Sequence, residues 1–221
     1  METVTGVDMR PGWHSEVMAE SAEQVHARVM SNADADGRLP VPDLAAWEVF
    51  PWEAVDGAVR PKRLAAPGPE PARNGESGPV GCHSCAMPAE RVVWEDEHWQ
   101  LVHHGAPSGM PVVLMLNTRE HLDAGELSDD LASELGRITN RLVRIIESLD
   151  GVGRCHVNRW GDGARHFHLW FFARTRGLAT ILGSYAVEWD EIIPPGPEDV
   201  WRADLHTIAV KLANWGGDAR A

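Results

Sequence analysis

A strand pattern near residue 170 constrains this chain more than any other segment does. Residues 165–172 read RHFHLWFF, an aromatic and aliphatic run that is typical of a buried or half-buried β-strand. Because alternate residues of a strand face the same way, His166, His168 and Trp170 are expected on one face. The apolar residues between them, Phe167, Leu169 and Phe171, would then meet a core. Two imidazoles on one face favour metal binding or catalysis over plain packing.

Length and charge limit the possible partners. At 221 residues, 43% of them hydrophobic, the chain can bury a sizeable core in one or two domains. The net charge of −13 argues against a nucleic-acid or anionic-membrane surface, which needs clustered Lys and Arg, but it allows a small phosphate ligand in a pocket. The sequence shows neither a signal peptide nor an apolar run near the ~20 residues of a membrane span. We therefore expect a cytoplasmic protein that has no membrane partner.

The composition changes along the chain and predicts four segments. Residues 1–61 form a partly helical extension, with an amphipathic helix over 15–30. Residues 62–79 are rich in Pro, Gly, Ala and charge, which is typical of a flexible linker. Residues 80–176 form the organised domain. Residues 177–221 form a C-terminal extension ending in a helix over 198–214.

Within residues 80–176 the pattern predicts strands around one long helix. Ser128 is a good N-cap, and apolar residues at helical spacing carry the helix from there to near Gly151. Strands are expected over 91–94, 99–103, 111–116, 154–158 and 165–172. This arrangement indicates the α+β class.

A C-x-x-C motif, Cys82 and Cys85, precedes the first of these strands. Zinc needs about four nitrogen or sulfur ligands, and Cys155 is the only other cysteine, so histidines have to complete a zinc site. The candidates are His121 and His166. A redox dithiol is the competing interpretation, but the thioredoxin-like context of such a motif is absent. A third alternative is a pair of incidental thiols.

Several segments, in order, resemble the histidine triad superfamily, including its galactose-1-phosphate uridylyltransferase branch. The matching segments are WEDEHW at 94–99, PVVLML at 111–116 followed by REH at 119–121, ELSD at 126–129, VN at 157–158, and His166-x-His168. The resemblance covers about residues 80–175. It implies a histidine-triad-like fold: an antiparallel sheet with one long helix and a C-terminal helix, here with an N-terminal extension.

The resemblance also assigns roles. In zinc-bearing members the matching residues hold a closed, structural metal, which implies one Zn²⁺ per chain on Cys82, Cys85, His121 and His166. The middle histidine of the family is the nucleophile, which implies that His168 attacks the α-phosphorus of a nucleotide and forms a covalent nucleotidyl-histidine.

Phosphoryl oxygens need nearby hydrogen-bond donors. Asn158 is the donor matched by the family, whereas Gly163 and Arg165 are candidates from local chemistry, as are Gly161 and Arg159. The third signature position holds Trp170 in place of the usual His or Gln. Trp has an N–H donor but no titratable proton, so it could bind phosphate or stack on a base but cannot pass a proton to a leaving group. The general acid is therefore unassigned; the candidates are His103, His104 and His156.

These observations predict a nucleotide hydrolase or nucleotidyltransferase acting through His168. Its substrate would be a nucleotide or nucleotide conjugate with a phosphoric anhydride or phosphoramidate bond. The alternative is a catalytically inactive, zinc-stabilised module for nucleotide binding or protein interaction, which the Trp170 substitution favours. A nucleic-acid repair role ranks third, because the net charge of −13 opposes it. The resemblance also implies a possible homodimer.

Overall fold

A six-stranded antiparallel sheet is the centre of the fold in the computed structural model, which describes residues 18–46 and 48–221. The strand order is β6-β7-β5-β4-β3-β8. The strands are β3 (Val92–Glu95), β4 (Trp99–His103), β5 (Val113–Thr118), β6 (Val152–Asn158), β7 (His168–Thr175) and β8 (Asp218–Ala219). A separate hairpin pairs β1 (Trp52–Val55) with β2 (Ala58–Pro61). The only parallel contact described is an isolated bridge between Asn74 and Ala164.

Four α-helices surround the sheet among the described residues: α1 (Ala22–Met30), α2 (Asp129–Glu147), α3 (Tyr185–Ile192) and α4 (Glu198–Ala213). The hydroxyl of Ser128 accepts a hydrogen bond from the N–H of Leu131 and begins α2, as the N-cap pattern predicts. None of the helices in the described part of the chain is long and apolar enough to cross a membrane.

The two faces of the sheet bury different clusters. One face packs Leu114 and Leu116 of β5 against α2 and α4, where Leu142 and Ile208 are fully buried. On the other face, Val113 and Phe172 join a smaller cluster that includes side chains of α1 and α3. Since side chains alternate along a strand, the even-numbered residues of β7, including His168, lie on this second face.

The α+β class, the antiparallel sheet, the long helix and the C-terminal helix are confirmed. The histidine strand differs from its prediction, because β7 begins at His168 rather than at residue 165. The backbone N–H groups of Arg165 and Phe167 donate instead to the carbonyls of Asn74 and Leu122, at 3.0 and 2.6 Å. Those bonds pull the chain out of the sheet just before the nucleophile candidate.

The N-terminal helix is shorter than its pattern. Of the predicted span 15–30, residues 15–17 lie outside the described part of the chain, and α1 begins after a capping box formed by Ser21 and Gln24. The hairpin of β1 and β2 and the helix α3 were not predicted. The division into four segments stays a prediction.

Asp204 of α4 gives the fold a pH dependence. Burial, together with the nearby charge of Asp150, raises the pKa of Asp204 from 3.8 to about 6. A carboxyl whose pKa is raised in the folded state destabilises the fold when it is ionised. The loss of folding free energy is complete above pH 6 and becomes smaller as the pH falls below 6, where the folded state takes up the proton. Solvent screening of this half-buried group reduces the penalty to about 1–2 kcal/mol.

We therefore expect Asp204→Asn to raise the free energy of unfolding by about 1–2 kcal/mol at pH 8 and by roughly half as much at pH 5. Urea unfolding at the two pH values measures the difference. Asp162→Asn, which neutralises an exposed carboxylate, is the control and should change neither value. If Asp204→Asn raised the free energy of unfolding equally at both pH values, this account of Asp204 would be contradicted.

Candidate metal centre and nucleophile

The four ligand candidates meet at one point between the sheet and the loop before it. The nearest ligand atoms of Cys82, Cys85, His121 and His166 all lie within 4.8 Å of one another. Nδ1 of His166 is 3.4 Å from each cysteine sulfur, and Nδ1 of His121 is 3.3 Å from Sγ of Cys85. Ligand atoms on a tetrahedral zinc ion, with bonds of 2.0–2.3 Å, are roughly 3.5 Å apart. The cluster therefore fits one zinc ion.

The outer nitrogens of both histidines support this fit. Nε2 of His166 donates to the backbone carbonyl of Thr118 at 2.7 Å, and Nε2 of His121 donates to the carbonyl of Gly75 at 3.0 Å. A carbonyl can only accept, so each Nε2 carries the proton and each Nδ1 presents its lone pair to the cysteines. This is the orientation that outer hydrogen bonds give to metal-bound histidines.

The pKa shifts of two ligand candidates also fit a metal site. Burial lowers the pKa of His166, which favours the neutral, ligating imidazole. Burial and the neighbouring Cys82 raise the pKa of Cys85 to about 11, so its thiolate needs a cation beside it. Four protein donors complete a tetrahedron and leave no position for substrate, so the site fits a structural zinc.

Residues 73–76, which we call the strap, connect the metal cluster to the turn before β7. The amide of Asn74 donates to the carbonyl of Gly81 at 3.0 Å and accepts from the N–H of His83 at 2.9 Å. Its backbone pairs with Gly163 and Arg165, both at 3.0 Å. Sequence reasoning missed the strap, because it lies in the predicted linker; its only local signal is the Asn-Gly pair.

His168 begins β7 and has one nitrogen fixed. Its Nδ1 lies 2.8 Å from the carbonyl of His166, which makes Nδ1 the donor and leaves Nε2 with the lone pair in the neutral ring. On β5, the residue directly opposite His168 is Asn117. On the other side, Asn158 of β6 is opposite Trp170, so it lies diagonally from His168.

Trp170 is held in an aromatic stack. Its ring is nearly parallel to those of His104 and Phe172, with centroids 4.7 and 5.6 Å away, and Trp160 meets it edge-on at 6.2 Å. These four rings also line a cavity of about 390 Å³ that reaches Asp190 of α3. The structure thus places an open, aromatic-walled space two residues along the strand from His168.

Carboxylates pair with the arginine candidates. Arg165 contacts Glu126 at 2.5 Å, while Arg159 and Arg73 both contact Asp123, at 2.9 and 2.8 Å. These partners come from the loop before α2. An anionic ligand would have to compete with them for the guanidinium groups.

Of the three general-acid candidates, His104 alone stacks on Trp170. His103 donates from Nε2 to the carbonyl of Glu90 and accepts at Nδ1 from the N–H of Gly105, and it packs on Trp201. His156 lies opposite Phe172 on β6. Burial lowers the pKa of all three imidazoles, so each is neutral at pH 7 and is a weak proton donor.

Neither a family model nor a curated protein matches this chain. Several solved structures are similar to it, among them three from different organisms. A hypothetical histidine triad nucleotide-binding protein from Sulfolobus tokodaii is 17% identical, with coverage of 60% of this chain and 93% of that one and a TM-score of 0.43. A zinc-bound histidine triad family protein from Mycobacterium smegmatis is 15% identical, with coverage of 62% and 97% and a TM-score of 0.44.

The third, a histidine triad protein from Sinorhizobium meliloti, is 18% identical, with coverage of 54% and 87% and a TM-score of 0.45. All three carry the name of the family whose motifs this sequence resembles. At identities of 15–18%, the function of this chain has to be argued from its own residues.

A substitution at Gly75 tests whether the strap holds His121 in the zinc site. Gly75 has a φ of +76°, and an added Cβ would lie 2.8 Å from Cε1 of His121 and 3.2 Å from Sγ of Cys82. We expect Gly75→Ala to displace His121 and speed zinc release to a chelator at least tenfold. Gly81→Ala is the matched control, because Gly81 has a φ of +80° and nothing within 4 Å of its Cβ position. Equal release rates for the two variants would show that backbone strain alone is responsible.

The zinc site itself is tested by Cys82→Ser, at a sulfur position that is fully buried. We expect the purified variant to lose most of its zinc and to lose about 3 kcal/mol or more of stability, roughly a 10 °C fall in Tm. Cys155→Ser removes the one thiol outside the cluster and should keep a full equivalent of zinc. Wild-type protein purified without chelator that holds less than about half an equivalent would contradict the assignment.

Proposed function

We propose that this chain is a nucleotide hydrolase or nucleotidyltransferase that acts through a covalent nucleotidyl-histidine on His168. The observation that carries the proposal is the bond between Nδ1 of His168 and the carbonyl of His166, at 2.8 Å. It fixes the tautomer in which Nε2 is the nucleophilic nitrogen. The reaction type comes from the resemblance of the motifs to the histidine triad superfamily.

In the first step, Nε2 attacks the α-phosphorus and a P–N bond forms. The bond from phosphorus to the leaving group breaks, the leaving group takes its electron pair and a proton from solvent or a nearby acid, and the imidazole becomes cationic. In the second step, water or another acceptor attacks phosphorus and loses a proton, and the P–N electron pair returns to Nε2. The nucleotide leaves and neutral His168 is restored.

Three groups near His168 in the sequence or the sheet are the proposed phosphoryl contacts. Asn158 of β6 offers an amide, the Gly163 turn offers backbone N–H groups, and Trp170 offers its indole N–H. Arg165 joins them only when it leaves Glu126. The cavity beside Trp160 and Trp170 suits a planar base, because aromatic faces stack favourably at such distances.

Zinc, when bound, supplies structural cross-linking. Its proposed ligand His166 is also the residue whose carbonyl holds His168. The ligand bonds would therefore fix the nucleophile through the backbone of one residue, with no open coordination position for the substrate. A homodimer and a cytoplasmic location stay predictions of the sequence.

A second candidate function is a zinc-stabilised nucleotide-binding or interaction module without catalysis. Two observations favour it. Trp170 is packed between His104 and Phe172 in place of a titratable partner, and the nearby arginines are paired with Asp123 and Glu126. Such a module would bind nucleotide in the aromatic cavity but would form no adduct.

The two functions separate in a labelling experiment with nucleoside polyphosphates, a nucleotide sugar and adenosine 5′-phosphorimidazolide. The last carries an activated leaving group that needs little acid assistance. We expect wild type to show an acid-labile mass increase of one nucleotidyl group and to turn over at least one of these compounds. His168→Ala should show neither, with a fall in turnover of at least 10³-fold.

His206→Ala is the matched control, because this exposed histidine of α4 bonds to the carbonyl of Ala221, far along the chain from the site. Its labelling should equal that of wild type. Nucleotide binding without any adduct or turnover across the whole panel would overturn the enzyme in favour of the binding module.

A further inference from the structure

Asn117 is a buried amide without a hydrogen-bond partner in the described part of the chain. It lies in β5, its side chain is 0% exposed, and neither Nδ2 nor Oδ1 forms a hydrogen bond with any residue in 18–46 or 48–221. An unsatisfied buried amide costs about 1–3 kcal/mol by mutational measures. Most buried polar side chains in native proteins do have partners. The position therefore points to a partner outside the described part of the chain, such as a bound ligand.

The register places this amide beside the proposed nucleophile. Asn117 is directly opposite His168 on β7 and opposite Gln100 on β4. The preceding residue, Leu116, packs in the helical core, so Asn117 faces the other side of the sheet together with His168. Directly opposed residues in an antiparallel pair have Cβ atoms about 4.5–5.5 Å apart.

The neighbouring polar groups already have other partners. Nε2 of Gln100 donates to the carbonyl of Ser84 at 3.3 Å, and Nδ1 of His168 donates to the carbonyl of His166. Packing alone does not explain the amide either. The same strand uses leucine at 114 and 116, and a leucine at 117 would have the same branched shape, with a somewhat larger volume and no desolvation penalty.

We propose that Asn117 is a catalytic residue that donates a hydrogen bond from Nδ2 to a non-bridging oxygen of the phosphoryl group as it is transferred to Nε2 of His168. This role rests on the proposed function. The low dielectric around a buried amide strengthens its hydrogen bond to the negative oxygens of the transition state. Because the side chain is 0% exposed, the groups that cover it have to move when substrate binds. With Asn158 on β6, it gives His168 an amide on each side in the sheet.

The test measures single-turnover labelling by adenosine 5′-phosphorimidazolide. At neutral pH, Nε2 of His168 forms the new P–N bond, and the protonated imidazole of the reagent leaves as neutral imidazole with the electron pair of the old P–N bond. Phosphorus keeps its oxidation state. We expect Asn117→Leu to lower the maximal labelling rate by about 10²–10³-fold, the loss typical of one oxyanion donor. The half-saturating concentration should change less than threefold.

Stability distinguishes this role from a structural one. Because Asn117→Leu removes an unsatisfied buried amide, its Tm should equal or exceed that of wild type while labelling falls. Thr175→Val is the matched control: it removes a buried polar group at the other end of β7 and should label at the wild-type rate. If Asn117→Leu lowers the Tm, Asn117→Ala takes its place in the test, and the same loss of labelling rate is expected.

The outcomes separate the two proposals. A wild-type rate for Asn117→Leu, beside normal wild-type labelling, overturns the role of Asn117 and leaves the nucleophile intact. The role of Asn117 is also overturned if the labelling rate of its variants falls only in proportion to a lower Tm, or if the rate of Thr175→Val falls equally. Absence of any adduct on wild type overturns the proposed function itself and this role with it.

Discussion

The site depends on the bonds made by one residue, His166. Its Nδ1 faces two cysteine sulfurs, its Nε2 donates to the carbonyl of Thr118, and its own carbonyl accepts from His168. Because the ring is buried and neutral, the contacts of its two nitrogens need a defined tautomer, and that tautomer follows from the Thr118 carbonyl. The metal cluster and the nucleophile are therefore two consequences of the same set of hydrogen bonds.

The strap extends this network to the rest of the site. It binds the loop that carries the two cysteines through Asn74, orients His121 through the carbonyl of Gly75, and pairs with the turn that leads into β7. Its backbone bond with Arg165 helps to keep the chain out of the sheet until His168. A segment with the composition of a linker is thus part of the architecture of the site.

Local patterns predicted the elements whose stability is local. Helix α2 follows from the Ser128 cap and apolar residues at helical spacing, and β4 follows from its aromatic and aliphatic residues, Trp99, Leu101 and Val102. Helix α3 and the hairpin of β1 and β2 carry weaker periodicity and were missed. The start of β7 was wrong by three residues, since it is set by hydrogen bonds to Asn74 and Leu122, which are distant in sequence.

The sequence by itself determined the inventory: two cysteines and two histidines able to fill a zinc site, a histidine two residues farther on, and a tryptophan where a polar partner was expected. Tertiary structure alone decided how these groups are used. It brought the four ligand atoms within 4.8 Å, paired Arg165 with Glu126, stacked Trp170 on His104, and placed Asn117 opposite His168. Residue type sets what a side chain can donate, accept or ligate, but its partner depends on strand register and loop contacts between distant parts of the chain.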